Sequence, residues 1–187
     1  VAVYNTIEKA SETVAAIIAA RIIPATLEIL DNFTIRAVED FSKAGLPVDA
    51  TALLLIEVDG HPAVVEEEKE MVETLCKKLG AASINVAQTD EERDKIWAAR
   101  RCALSALAKL KPTLILEDAT VPRSRLPDMV RALQEIAGKY RIDIGTFGHA
   151  GDGNLHPTIL TDKRNTEEFH RVEAAIEEIF DKALAMG

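Results

Sequence analysis

The sequence predicts an α+β fold in which two ferredoxin-like halves form a largely antiparallel sheet covered by helices. Three observations carry this expectation. Short β-type runs alternate with helix-type stretches along the whole chain. One hairpin is legible, where the runs 142–149 and 154–160 are joined by a short glycine-rich link. The strands are half-polar rather than continuously apolar, which favours a mixed or antiparallel sheet with helices on one face over a doubly wound sheet.

In chain order, Val1 to Tyr4 reads as a strand, and Thr6 is placed to cap a helix ending near Arg21, before Pro24. A strand is expected over 25–31, then a short helix over 34–43 closed by Gly45 and Pro47. The run ALLLIEVDG at 52–60 is strand-like, and Pro62 suits the first turn of the next helix. Val64, Val65, Val72, Leu75, Cys76 and Leu79 recur on one face of that helix, which stops at Gly80.

A strand at 83–88 leads to a long helix opened by Thr89 and Glu92 at capping-box spacing. A strand at 113–120 follows. Ser124 is placed to cap a helix carrying Leu126, Met129, Val130, Leu133 and Ala137, ending near Gly138. After the hairpin, Asn165 or Thr166 caps a last helix with Phe169, Val172, Ile176, Ile179 and Phe180 at core spacing.

Bulk properties narrow the function. With 48% hydrophobic and 28% charged residues in a chain of 187, a packed globular core is expected. A net charge of -9 from 22 basic and 31 acidic residues argues against a general nucleic-acid surface, so an anionic substrate needs a local basic pocket. The longest apolar stretch, 14–20, is far short of a membrane span. Cys76 and Cys102 lack the spacing of a disulfide framework or metal knuckle, and a reducing cytoplasm is the default expectation. The chain opens at Val1 inside a strand-like run and closes at Gly187 directly after a helix, so it is expected to be a piece of a longer protein.

Chemistry concentrates in GHAGDGNLH, 148–156. Four of the nine residues from 145 to 153 are glycine, beside His149, Asp152, Asn154 and His156. If Ala150 to Gly153 form a four-residue loop, His149 pairs with Asn154 and Phe147 with His156. His149, Asn154 and His156 then share one face, with the histidines as diagonal neighbours roughly 7 to 8 Å apart at the backbone. Two such imidazoles can converge on one ion but leave it short of a third ligand. Asp152 is a conceivable third, or simply caps the turn. The plainer alternative is a glycine-rich hairpin whose histidines are partly buried sheet residues. His61 and His170, at a helix start and on a helix face, show no partner pattern. No phosphate-binding glycine loop opens a helix here.

The stretch FGHAGDGNLHPTIL at 147–160 resembles the signature of the C-terminal cap domain of FAD-linked oxidases of the vanillyl-alcohol oxidase type, and is most similar to the glycolate oxidase and D-lactate dehydrogenase group. LEILD at 27–31, LLLIEVDG at 53–60, IWAARR at 96–101 and EDATVPRSRLP at 117–127 extend the resemblance, in order, over nearly the whole chain.

The resemblance implies that His149 and His156 hold a divalent metal such as Zn, Mn or Fe, that Asn154 faces substrate and flavin, and that Arg100 pairs with the substrate carboxylate. Trp97 is expected in the core rather than at the cofactor. Leu116 stands where diacid-oxidising members carry a Lys, which favours a monocarboxylate. The family's third metal ligand and general base lie in a glycine-rich segment expected beyond Gly187, and FAD is bound mainly by a separate preceding domain. The chain alone is therefore expected to be inactive.

For the full protein, the resemblance implies oxidation of glycolate or D-lactate to the 2-oxo acid. An iron-sulfur or quinone electron-acceptor partner is implied, with at most peripheral contact to a membrane. Two rival readings remain: a ferredoxin-like ligand-binding or oligomerisation module without chemistry, and a metal-dependent hydrolase built on the two histidines.

Overall fold

A computed structural model describes all 187 residues. Eight strands form one sheet in the order β4-β1-β3-β2-β7-β8-β5, with β6 also paired to β8, and all pairings are antiparallel. The first half contains β1 (Ala2–Tyr4), α1 (Ile7–Ala19), β2 (Thr26–Asp31), α2 (Asn32–Ser42), β3 (Ala52–Glu57), α3 (Pro62–Lys78) and β4 (Ser83–Ile84). Its order β4-β1-β3-β2, with α1 and α3 as the crossovers, is the ferredoxin-like arrangement, and α2 is an insertion between β2 and β3.

Two short helices, α4 (Asp90–Arg101) and α5 (Ala103–Leu107), lead to the second half. It comprises β5 (Thr113–Leu116), β6 (Ala119–Thr120), α6 (Leu126–Tyr140), β7 (Asp143–His149), β8 (Asn154–Thr161) and α7 (Thr166–Met186). Here β8 inserts between β7 and β5, as β3 inserts between β2 and β1, so the same pattern recurs. The two halves meet along β2 and β7, which pair at Glu28–His149, Ile29–Gly148 and Leu30–Phe147.

Helices cover both faces of the sheet, not one. Alternation along each strand sends Leu27, Ile29, Leu54, Ile144, Leu155 and Ile159 into the larger core, against α1, α3, α6 and α7. The intervening residues Leu30, Leu53, Leu55, Phe147 and Leu160 face a smaller core built with α2, α4 and α5. The one-face expectation fails because both phases of these strands are apolar, and so need cover on each side.

Local differences from the sequence expectations have local causes. The strand at 113–120 is broken into β5 and β6, yet both keep a single register against β8, from Leu116–Thr158 to Ala119–Leu155. The break falls opposite Pro157, which has no N–H to give, although Glu117 still donates to its carbonyl at 3.0 Å. Ser124 does not cap α6. A 3₁₀ turn over Arg123–Arg125 precedes it, Pro127 occupies its first turn, and Asp128 pairs with Arg125 at 3.0 Å.

The long helix from Thr89 divides at Cys102, and the strand at 83–88 shrinks to two residues. Val64 and Phe180 lie on the outside of their helices rather than in the core. Thr6, Thr89 and Asn165 cap α1, α4 and α7 through their side-chain oxygens. Asp31 caps α2 by accepting from Thr34 N–H at 2.8 Å.

Candidate functional site

The hairpin closes as its spacing requires: Ala150 to Gly153 form the loop, His149 pairs with Asn154, and Phe147 pairs with His156. Glycine is demanded at two of its positions. A Cβ on Gly148 would collide with the carbonyl of Asn154. Gly153 has φ of +75° and packs directly on the carbonyl of Val121. Alternation then places Phe147, His149, Asn154 and His156 on the sheet face shared with α4. The two imidazole rings meet edge to face, with centroids 5.1 Å apart.

Each histidine has its Nδ1 on a carboxylate. His156 Nδ1 lies 2.6 Å from Asp118, its cross-strand neighbour. His149 Nδ1 lies 2.5 Å from Glu28 Oε1, across the seam between the halves. A carboxylate only accepts, so a neutral imidazole at either position carries its proton on Nδ1 and keeps a lone pair on Nε2. Metal-binding imidazoles are commonly oriented in this way.

Arg100, at the end of α4, reaches the same carboxylate. Its Nε and Nη2 donate to Glu28 Oε2 at 3.0 and 2.7 Å, and its guanidinium lies 4.8 Å from the centroid of Phe147. Side-chain exposure of 13% for Arg100 and 6% for Glu28 makes this a buried ion pair rather than a solvated helix charge. Glu28 is the residue that the sequence reading missed. Nothing in LEILD separates a glutamate that binds across the sheet from one that faces water, and the only available signal was its phase opposite Leu27 and Ile29.

Asn154 contributes a buried Oδ1 with no hydrogen-bond partner, an acceptor without a donor. Asp152 is exposed in the loop, and its N–H donates to the His149 carbonyl at 3.0 Å. Trp97 is not a core residue: half-buried, it donates from Nε1 to Glu57 at 3.0 Å. A cavity of about 370 Å³ is bordered by Leu27, Glu28, Trp97, Arg123, His149 and Asp152, and reaches neither His156, Asn154 nor Arg100. A larger one, about 660 Å³, lies between α3 and α4 and includes neither histidine nor Arg100.

His61 caps α3 through Nδ1, and His170 pairs with Glu173 on α7, so neither belongs to the site. Asp31 accepts from Thr146 N–H at 2.8 Å with its second oxygen, tying β2 to β7 beyond their ladder. Enclosure of its carboxyl raises the pKa from 3.8 to about 6 despite the two bonds that favour the charge.

A family model described as FAD linked oxidases, C-terminal domain, matches residues 1–187. The chain belongs to this family. Among curated relatives of this FAD-linked oxidase domain, the glycolate oxidase subunit GlcD of Bacillus subtilis is 58% identical over 186 residues, all of this chain and 40% of that protein. GlcD of Escherichia coli is 40% identical over 184 residues, 98% of this chain and 37% of that protein. A D-lactate dehydrogenase of Archaeoglobus fulgidus is 30% identical over 156 residues, 82% of this chain and 33% of that protein. The chain thus spans about two fifths of the length of its glycolate oxidase relatives.

Two solved structures share the fold. p-Cresol methylhydroxylase with substrate bound aligns with a TM-score of 0.70 at 16% identity, over 96% of this chain and 42% of that one. Alkyldihydroxyacetonephosphate synthase aligns with a TM-score of 0.66 at 15% identity, over 96% of this chain and 38% of that one.

No three His, Cys, Asp or Glu side chains gather in a metal-holding group anywhere in the chain. The two free Nε2 atoms fit as two donors to an ion but do not complete its coordination. No helix is long and apolar enough to cross a membrane.

Proposed function

We propose that the protein containing this domain oxidises a short 2-hydroxy monocarboxylate, glycolate or D-lactate, to the 2-oxo acid. The observation that carries this reading is the convergence of Arg100, His149, Asn154 and His156 on one sheet face, in a domain 58% identical to a glycolate oxidase subunit.

Arg100 receives the substrate carboxylate on the guanidinium edge that Glu28 leaves open. His149 and His156 present Nε2 lone pairs toward the substrate hydroxyl and would hold a divalent ion there, which would polarise that hydroxyl. Asn154 Oδ1 accepts a hydrogen bond from substrate or flavin, and this satisfies its buried oxygen. FAD, held mainly by another domain, supplies the acceptor for the hydride lost from the carbinol carbon. The hydroxyl proton leaves to a base contributed by another part of the protein, and the 187 residues alone are inactive.

Leu116 pairs with Thr158, two residues beyond His156, and therefore shares the site's face with an apolar side chain. This favours a monocarboxylate over a diacid. Electrons pass on to an iron-sulfur or quinone partner, and the protein resides in the cytoplasm or at the membrane's edge. The test is anaerobic addition of glycolate or D-lactate to the purified full protein. Bleaching of its flavin absorbance by either acid supports the reading, and no bleaching by any short 2-hydroxy acid overturns it.

A further inference from the structure

The geometry points to Glu28 as the positioning residue of this site, fixing the orientation of Arg100 and the tautomer of His149 together. This inference rests on the proposed function for its catalytic consequence, but not for its geometry.

The two carboxylate oxygens divide the task. Oε2 takes Nε and Nη2 of Arg100 at 3.0 and 2.7 Å, which uses one edge of the guanidinium. The Nη1 protons and the remaining Nη2 proton stay on the other edge, where two parallel donors match a second carboxylate. Phe147 lies beneath the guanidinium at 4.8 Å and resists rotation of its plane. Oε1 meets His149 Nδ1 at 2.5 Å, so the ring proton sits on Nδ1 and the Nε2 lone pair points away from Glu28.

Burial makes the arrangement obligatory. With 6% of its side chain exposed, Glu28 cannot be satisfied by water, and Arg100 at 13% has little more recourse. The ion pair also cancels most of the charge that Arg100 would offer an incoming anion. Glu28 therefore directs the substrate carboxylate without strengthening its binding.

That trade yields an unusual kinetic signature for Glu28→Gln. The glutamine amide still offers an oxygen to Arg100, but its nitrogen now donates to His149 Nδ1 and moves the ring proton to Nε2. Arg100 regains its full charge, is held less firmly by a neutral amide oxygen, and the His149 tautomer is reversed. In the full-length holoenzyme, kcat for a short 2-hydroxy monocarboxylate falls roughly 10- to 100-fold, and KM stays level or falls. A lesion that merely loosened the fold would raise KM as well.

The experiment combines these kinetics with ¹⁵N-histidine NMR of the same protein under mildly alkaline conditions. Support consists of a wild-type His149 protonated at Nδ1 alone, a reversed tautomer in Glu28→Gln, and the split between kcat and KM. A wild-type His149 protonated at Nε2 overturns the proposal, as does a Glu28→Gln protein with unchanged tautomer and kcat. If that variant does not fold, the wild-type tautomer decides. If the wild type turns over no 2-hydroxy acid, the functional reading fails, and the tautomers still judge Glu28.

Discussion

Glu28 and His149 stand opposite each other on β2 and β7, 121 positions apart in sequence, and their side chains join at 2.5 Å across the seam between the two halves. The candidate face is therefore assembled by the long-range pairing of two repeats, with the hairpin as only one contributor.

His149 and His156 are not interchangeable with ordinary sheet residues in the proposed function. His149→Ala and His156→Ala in the full protein are expected to lower kcat/KM by more than about 100-fold and to reduce bound divalent metal, measured by elemental analysis. Loss of His149 also removes the hydrogen bond to the buried Oε1 of Glu28, so that variant should in addition melt a few degrees lower. Wild-type turnover by both variants would remove the histidines from the mechanism.

The enclosed carboxyl of Asp31 makes stability depend on pH in an identifiable window. Its folded pKa of about 6 lies above the ordinary 3.8, so the folded state holds its proton more tightly. The resulting stabilisation is full below about pH 4 and is lost as pH rises through about 6. The wild type should lose on the order of 2 kcal/mol relative to Asp31→Asn between those limits. Urea titrations of both proteins across this range test it, and parallel pH profiles would contradict the assignment.

Three glycines provide an internal contrast. Gly153→Ala must place a Cβ against the Val121 carbonyl at positive φ, and Gly148→Ala against the Asn154 carbonyl. Each should cost about 2 kcal/mol or more. Gly138→Ala lies in α6 with open space around it and should add about 0.5 to 1 kcal/mol. Denaturant midpoints read all three, and a neutral Gly153→Ala would show that the loop is not held as described.

Leu116 offers a handle on specificity. Leu116→Lys is expected to raise kcat/KM for a 2-hydroxy diacid about tenfold or more, because the new ammonium can pair with a second carboxylate. The value for D-lactate should change little. Steady-state comparison of the two substrates decides it, and an unaltered ratio removes Leu116 from the substrate's reach.

Much of this was legible in the sequence because it is local. The hairpin register followed from the length of the glycine-rich loop, and most strand and helix phases followed from apolar spacing. What escaped was non-local or competitive. Glu28 acquires a role only when β2 meets β7, a pairing between halves that no short-range pattern encodes. Trp97 has the composition of a core residue, yet its indole N–H is drawn to Glu57 at the edge of two cavities. Ser124 had the chemistry of a cap, but Pro127 and the turn before it opened α6 differently.

The direct ladder between the halves is only three residue pairs long. Because strand side chains alternate, a slip of one residue along it would turn Glu28 to the opposite face and strand Arg100 as an unpaired cation. The seam thus acts as a proofreader of its own assembly: a misregistered docking of the repeats carries an electrostatic penalty at the place where catalysis is proposed.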